Sequence, residues 1–340
     1  MSDATIEEVL TGTRRNALLV GDCLDGLRSL PDGCVQTCVT SPPYFGLRDY
    51  GNAAQIGQEH SPLEFVDALV AVFAEVRRVL ADDGTCWINL GDSYAATTKG
   101  SSGKGEKQRR NAGTLLADRR WKVPDGLKPK DLMGIPWRVA FALQDAGWWL
   151  RSDIIWSKPN PMPESVTDRP TRAHEYVFLL TKREWYFYDA AAIAERSVYP
   201  GDNRAARPDT RKSVDPMCMD GGSRMRTGNP TGETRNARDV WTIVGEPYDG
   251  AHFATMPPEL ARRCILAGSR RGDVVLDPFA GAGTTALVAV GNGRRAIGCE
   301  LNPEYAALAL DRVAAVDTDA AEPVRVVAPQ WGALFDGAAK

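Results

Sequence analysis

Two short segments carry residue types that could do chemistry. The first is TSPPY at 40–44, directly after the apolar run 34–40. Pro42 and Pro43 fix φ at two successive residues and remove two backbone donors, so the local carbonyls are left to accept. Ser41 adds a side-chain acceptor and Tyr44 an aromatic face. Together they suit a planar group bearing an NH2, with oxygens taking its two protons while the ring stacks on its face. The same four residues also suit a rigid turn. The second segment is DPFAGAGTT at 277–285, where Gly281, Gly283 and Ala286 stand in G-x-G-x-x-A spacing. Glycines so placed let the backbone turn tightly and approach a ligand at a helix N-terminus. Glu300 closes the next strand, where a carboxylate could accept from ribose hydroxyls. By itself this pattern fits an adenosine-containing cofactor, a nicotinamide one included, or a tight strand-to-helix turn with no ligand.

The elements that must position these segments follow from periodicity. Residues 16–20 (NALLV) and 34–40 (CVQTCVT) read as strands separated by a helix near 23–30. Apolar side chains at 63, 65, 66, 69, 70, 73, 76, 79 and 80 recur at helical spacing, with Ser61 and Pro62 as N-cap and first-turn signals. Strands at 85–90 and 149–156 flank a long Gly-, Ser- and Lys-rich loop at 92–130 and a helix at 131–146. Residues 174–181 and 185–189 read as a hairpin. The segment 196–238 is irregular, and periodicity returns as helix 257–267, strand 273–279, helix 283–292, strand 294–300 and helix 302–316. This alternation predicts an α/β fold, a mostly parallel sheet with helices on both faces and one antiparallel hairpin strand. The last 20 residues read as a tail.

Charge and cysteine usage narrow the partners. The 340 residues carry a net charge of −3, but 95–122 is locally +6 and 196–238 is locally +4, leaving −13 elsewhere. Two basic segments on an acidic frame point to a polyanion. Seven cysteines without a CxxC pair and three scattered histidines fit reduced core thiols and no metal centre. No run of 18 apolar residues or signal peptide is present, so no membrane association is expected and a cytoplasmic setting is.

Taken together, these motifs resemble the DNA amino-methyltransferases. The family's catalytic signature (Ser/Asp/Asn)-Pro-Pro-(Tyr/Phe/Trp) is matched by Ser41, Pro42, Pro43 and Tyr44, and its cofactor signature by 277–285. Further matches are GD at 21–22, GDSY at 91–94, the block 158–182, AHFATMPPEL at 251–260 and GCELNPEY at 298–305. The catalytic motif precedes the cofactor motif, the order of the β group. The chain departs from the family in reading Ala-His-Phe at 251–253, where Lys-His-Pro is frequent.

The resemblance implies a Rossmann-like S-adenosylmethionine-dependent methyltransferase fold. It divides the chain into a catalytic part at 1–189 with a basic loop at 95–125, a target-recognition region at 190–240, a cofactor-binding part at 241–318 and a tail at 319–340. S-adenosyl-L-methionine would be held by Asp22, Cys23, Phe253, Asp277, Pro278, Phe279, Gly281, Gly283, Thr284, Thr285, Glu300 and Asn302. Asp22 would meet the adenine amino group and Glu300 the ribose. Ser41, the Pro42 carbonyl and Tyr44 would hold a base flipped out of double-stranded DNA. Contacts to DNA are expected from Lys104, Lys107, Arg109 and Arg110 in the first basic segment. In the second they are expected from Arg204, Arg207, Arg211, Arg224, Arg226, Arg235 and Arg238. Serine at position 41 favours cytosine N4 over adenine N6. Cytosine C5 chemistry is disfavoured, because the chain has no Pro-Cys dipeptide to supply its thiolate. A nicotinamide-dependent oxidoreductase leaves TSPPY and both basic segments without a role. A catalytically silent DNA-binding relative would need a damaged motif, and none is visible. A cognate restriction endonuclease, a bacterial or phage source and a homodimer complete the expectations that the resemblance carries.

Overall fold

The computed structural model describes residues 2–46, 55–95, 123, 126–197, 233–245, 256–316 and 325–327. They fall into two compact units, Met1–Tyr188 with Asp239–Lys340, and Asp189–Arg238.

The larger unit is built on a nine-stranded sheet. Its strands in chain order are β1 (Asn16–Val20), β2 (Val35–Thr40), β3 (Leu80–Leu90), β4 (Trp149–Ser157), β5 (His174–Thr181), β8 (Val240–Thr242), β9 (Val274–Asp277), β10 (Arg295–Glu300) and β11 (Arg325–Val327). They lie in the order β11-β1-β10-β9-β2-β3-β5-β4-β8. Only β5 runs against its neighbours, pairing antiparallel with β3 and β4; every other pairing is parallel. The smaller unit contains the two-stranded ribbon β6 (Glu195–Arg196) and β7 (Thr234–Arg235).

Helices cover both faces, and the alternation along β1 shows why. Ala17 and Leu19 join a core cluster with α2 (Cys23–Arg28), α3 (Pro62–Val79) and α4 (Ile135–Asp145). Leu18 and Val20 point the other way, onto Ala306, Ala309 and Leu310 of α7 (Pro303–Ala314). Helices α5 (Pro258–Gly268) and α6 (Thr284–Gly291) pack against each other, and α6 packs against α7. The start of α3 follows its sequence signals: Ser61 Oγ accepts from the Glu64 N–H at 3.2 Å, and the Glu64 carboxylate accepts from the His60 N–H at 2.9 Å. Phe65, Val66, Leu69, Val72, Phe73, Val76 and Val79 are its buried stripe.

Three differences from the sequence reading have physical causes. The expected hairpin partner at 185–189 is not a strand. β5 instead takes β3 and β4 on its two edges, while Tyr188 stacks on Trp87 with ring centroids 6.4 Å apart and Phe187 lies 3.8 Å under the Arg270 guanidinium. The run of four aromatics that suggests a strand instead lays Phe187 and Tyr188 against Arg270 and Trp87, while Trp185 stays exposed. The N-terminal residues form helix α1 (Ser2–Thr11), with Ile6 and Val9 in the core. Residues 325–327, inside the segment read as a tail, pair with β1.

Candidate active site

The two chemical segments meet at the carboxyl ends of adjacent parallel strands, where open α/β sheets present their ligand crevice. Strand β2 delivers Thr40 and then Ser41, Pro42, Pro43 and Tyr44, and its neighbour β9 ends in Asp277. Thr40 Oγ1 donates to Asp277 Oδ1 at 2.6 Å, and the Phe279 N–H donates to the same oxygen at 3.1 Å. Thr285 Oγ1 donates to the Val39 carbonyl at 3.1 Å, so the first turn of α6 is also tied to β2. Asp277 is buried, and burial pushes its carboxyl above the ordinary value of 3.8 against the lowering effect of these donors.

The turn after β9 is shaped by its glycines. Gly281 has φ +52 and Gly283 has φ +74, both in the left-handed region. A Cβ on Gly283 would stand 2.7 Å from the Ala309 Cβ, so this residue also lets the turn pack against α7. Pro278, Thr284 and Thr285 are buried within it, and Phe279 is half-buried. Glu300, ending β10, accepts from the Gly281 N–H at 2.7 Å and from the Asn302 N–H at 2.8 Å. Burial raises its carboxyl too. Asn302 caps α7, accepting from the Glu304 N–H at 2.8 Å. One strand over, the Gly21 N–H donates to the Glu300 carbonyl at 2.9 Å. Asp22 Oδ1 caps α2 by accepting from the Leu24 and Asp25 N–H groups.

Among the described residues, Asp22, Asp277 to Thr285, Glu300 and Asn302 are thus brought to the ends of β1, β9 and β10, each carboxylate also holding backbone in place. The donor set fits a nucleoside-containing group: two carboxylates at neighbouring strand ends, each oxygen with lone-pair capacity beyond its backbone bonds, beside a glycine turn opening a helix. Cys23 is buried and its thiol is pushed up to about 12 by burial, so it contributes packing and no thiolate. Cys38, Cys264 and Cys299 are likewise buried and shifted upward by desolvation. Among the described residues no cluster could hold a metal ion.

Around Tyr44 the structure adds residues that the sequence reading did not single out. Tyr44 Oη donates to Glu175 Oε2 at 2.6 Å, and Asn89 Nδ2 donates to the same oxygen at 3.1 Å. Lys158 Nζ donates to Glu175 Oε1. The signal available was the block 158–182, which contains both Lys158 and Glu175. Asp92 of GDSY caps α4, accepting from the N–H groups of Gly134 and Ile135 at 3.1 Å each. Of the arginines expected on DNA, Arg235 and Arg238 both pair with Glu195, at 3.3 and 3.0 Å. Phe253, His252, Lys104, Lys107, Arg109, Arg110, Arg204, Arg207, Arg211, Arg224 and Arg226 lie outside the described residues.

Comparison with known proteins follows the same lines. The model of the N6 and N4 DNA methylase family matches residues 35–311. The Type II methyltransferase M.XycI of Xanthomonas campestris pv. cyanopsidis is 50% identical over 300 residues, covering 88% of each chain. M.Cfr9I of Citrobacter freundii, another Type II methyltransferase, is 48% identical over 302 residues, covering 89% of each. Among solved structures, the putative DNA modification methylase TTHA0409 of Thermus thermophilus, complexed with S-adenosyl-L-methionine, is 28% identical with a TM-score of 0.56, covering 89% of this chain and 95% of that one. The cytosine-N4-specific PvuII DNA methyltransferase shares the fold at 20% identity, with a TM-score of 0.58 over 91% of this chain and 89% of its own. The oxidoreductase alternative is thereby set aside: a chain with this turn, this Ser-Pro-Pro-Tyr segment and these relatives belongs to the N6/N4 DNA methylase family.

Proposed function

We propose that this DNA methyltransferase transfers a methyl group from S-adenosyl-L-methionine to the N4 amino group of a cytosine flipped out of double-stranded DNA. The observation that carries this reading is the 2.6 Å bond from Thr40 to Asp277, which fixes the start of Ser-Pro-Pro-Tyr against the cofactor turn. Serine at 41, the form that the family resemblance associates with cytosine, supports N4 over adenine N6.

When bound, S-adenosyl-L-methionine supplies a methyl group on a positively charged sulfur. Asp277, Phe279, Gly281, Gly283, Thr284 and Thr285 would line its methionine end, with Asp22 on the adenine amino group and Glu300 on the ribose. The rest of the chemistry is alignment. Ser41 Oγ and the Pro42 carbonyl accept the two amine protons and aim the nitrogen lone pair, while Tyr44 covers the face of the base. The same acceptors stabilise the positive charge that develops on nitrogen as the N–C bond forms and the S–C bond breaks, and one amine proton is then lost by way of Ser41 Oγ to water. The amine itself is the nucleophile, so none is needed from the protein. Extruding the base costs about a few kcal/mol, which contacts to the flanking DNA offset. Lys104, Lys107, Arg109, Arg110, Arg204, Arg207, Arg211, Arg224 and Arg226 are assigned to those contacts, with Arg235 and Arg238, which also pair with Glu195, beside them. The Type II relatives make a cognate restriction endonuclease the expected partner.

The test is single-molecule sequencing of DNA from a methylation-free host expressing the chain, with Ser41→Ala as control. N4-methylcytosine in one defined motif, absent with Ser41→Ala, is the expected result. N6-methyladenine would move the target to adenine, and unmodified DNA would remove the reading.

A further inference from the structure

The methyl transfer described above leaves the block 158–182 unused, yet two of its side chains form a chain that ends on Tyr44. Glu175, the second residue of β5, accepts from the Tyr44 hydroxyl at 2.6 Å through Oε2. Its other oxygen is held by Lys158, which follows β4 and whose ammonium also lies 4.2 Å from the Trp156 ring centroid. Asn89, almost fully buried on β3, donates to Glu175 at 3.1 Å and to the Tyr176 carbonyl at 3.1 Å. The Glu175 side chain is 14% exposed and that of Lys158 is 25% exposed. At the edge of the Tyr44 ring, a Cβ on Gly91 would stand 2.6 Å from Cε2, so main chain packs directly against the ring.

This arrangement is costly if Tyr44 only fills space. Taking a carboxylate and an ammonium largely out of water around a phenol is no more stabilising than packing a phenylalanine there. Two properties of the site give the network a use. A ring fixed at its hydroxyl and along one edge presents one plane to whatever stacks on it. A phenol donating to a carboxylate is also a richer π-donor, and the negative face of an aromatic ring attracts positive charge. In methyl transfer that charge develops on the amine of the stacked base.

We propose that Glu175 is a positioning residue for methyl transfer. Through the Tyr44 hydroxyl it fixes the plane of the ring and enriches the face that meets the target base, while Lys158 and Asn89 hold Glu175 in place. The inference rests on the reading of Tyr44 as the residue that stacks on the base.

A double-mutant cycle tests it, using single-turnover methyl transfer at saturating DNA and cofactor. Glu175→Ala lowers the rate about 10- to 50-fold, and adding it to Tyr44→Phe costs no more than about 2-fold beyond Tyr44→Phe alone. Glu175→Gln, which keeps an acceptor for the hydroxyl, recovers to within about 3-fold of the unaltered chain. Cofactor affinity by calorimetry stays near that of the unaltered chain in Glu175→Gln, while the melting temperature falls because Lys158 loses its counter-charge. An equal loss from Glu175→Ala in both backgrounds, or a loss that tracks cofactor affinity, overturns the proposal and makes the network structural. If the unaltered chain transfers no methyl to DNA, the functional reading itself has failed. The role in methyl transfer then falls with it, and NMR of tyrosine-labelled protein separates the two failures: faster flipping of the Tyr44 ring in Glu175→Ala upholds the fixing of the ring by Glu175, and an unchanged rate overturns that as well.

Discussion

The turn after β9 and the pocket after β2 sit side by side, yet they are held by different kinds of bond. The turn is a main-chain structure. Gly281 and Gly283 take left-handed φ, the Phe279 and Gly281 N–H groups are donors, and Asp277 and Glu300 serve as acceptors for that backbone. The pocket has two prolines whose nitrogens donate nothing, so its key side chain is held from outside. Tyr44 is anchored by Glu175, 131 residues further along the chain. A main-chain site depends on whether a residue can adopt a conformation; a side-chain site depends on whether distant partners arrive. The two halves should therefore fail differently when altered.

The sharpest break is Gly283→Ala. It places a Cβ 2.7 Å from Ala309 at a residue with φ +74, so both sterics and backbone oppose it. A loss of about 2–4 kcal/mol in unfolding free energy is expected, together with loss of cofactor binding. Denaturant unfolding and calorimetry measure both, and a stable variant with intact affinity would show that the turn tolerates side chains.

Gly91→Ala probes the other half. Its new Cβ would meet the Tyr44 ring at 2.6 Å and tilt it. Methyl transfer should fall about 10- to 100-fold, equivalent to about 1.4–2.7 kcal/mol in the barrier, with cofactor affinity unchanged. Parallel loss of affinity would mean that the two halves are one mechanical unit.

The smallest effect is expected from Asp277→Asn, read as stability against pH. Burial raises the Asp277 carboxyl above its ordinary 3.8, so the native state holds its proton longer than the unfolded chain does. Stability should then fall as pH rises from about 4 through the native value, because the unfolded state is the one that gains by ionising. Asparagine keeps an acceptor for Thr40 and Phe279 and removes this share of the slope. Asp92 and Glu300 are shifted the same way and leave a residual slope. An unaltered profile in thermal melts between pH 4 and 7 would show that Asp277 does not contribute to it.

Legibility in the sequence followed the same division. The alternation from 257 to 316 gave α5, β9, α6, β10 and α7 to within a few residues of their observed ends, because each is a local period closed by a Pro, Gly or Asn signal. The aromatic stretch 185–189 misled because aromatic residues after a short polar turn suit a strand, but residue type does not say which backbone pairs with which, and β3 already holds the edge of β5. Strand β11 has three residues and no period to read.

By itself the sequence determined the glycine turn, the Pro-Pro segment, the cap at Ser61, and the family to which they point. Each is a requirement on one residue's backbone or on groups two or three positions apart, so the chain states it locally. Tertiary structure decided the sheet order that sets β2 beside β9 and β5 beside β3. It thereby chose Asp277 as the partner of Thr40 and Glu175 as the partner of Tyr44. Those bonds join residues 237 and 131 positions apart, and no local pattern encodes a partner at that distance. Strand pairing supplies it, because register across a sheet fixes which side chains share a face and an end.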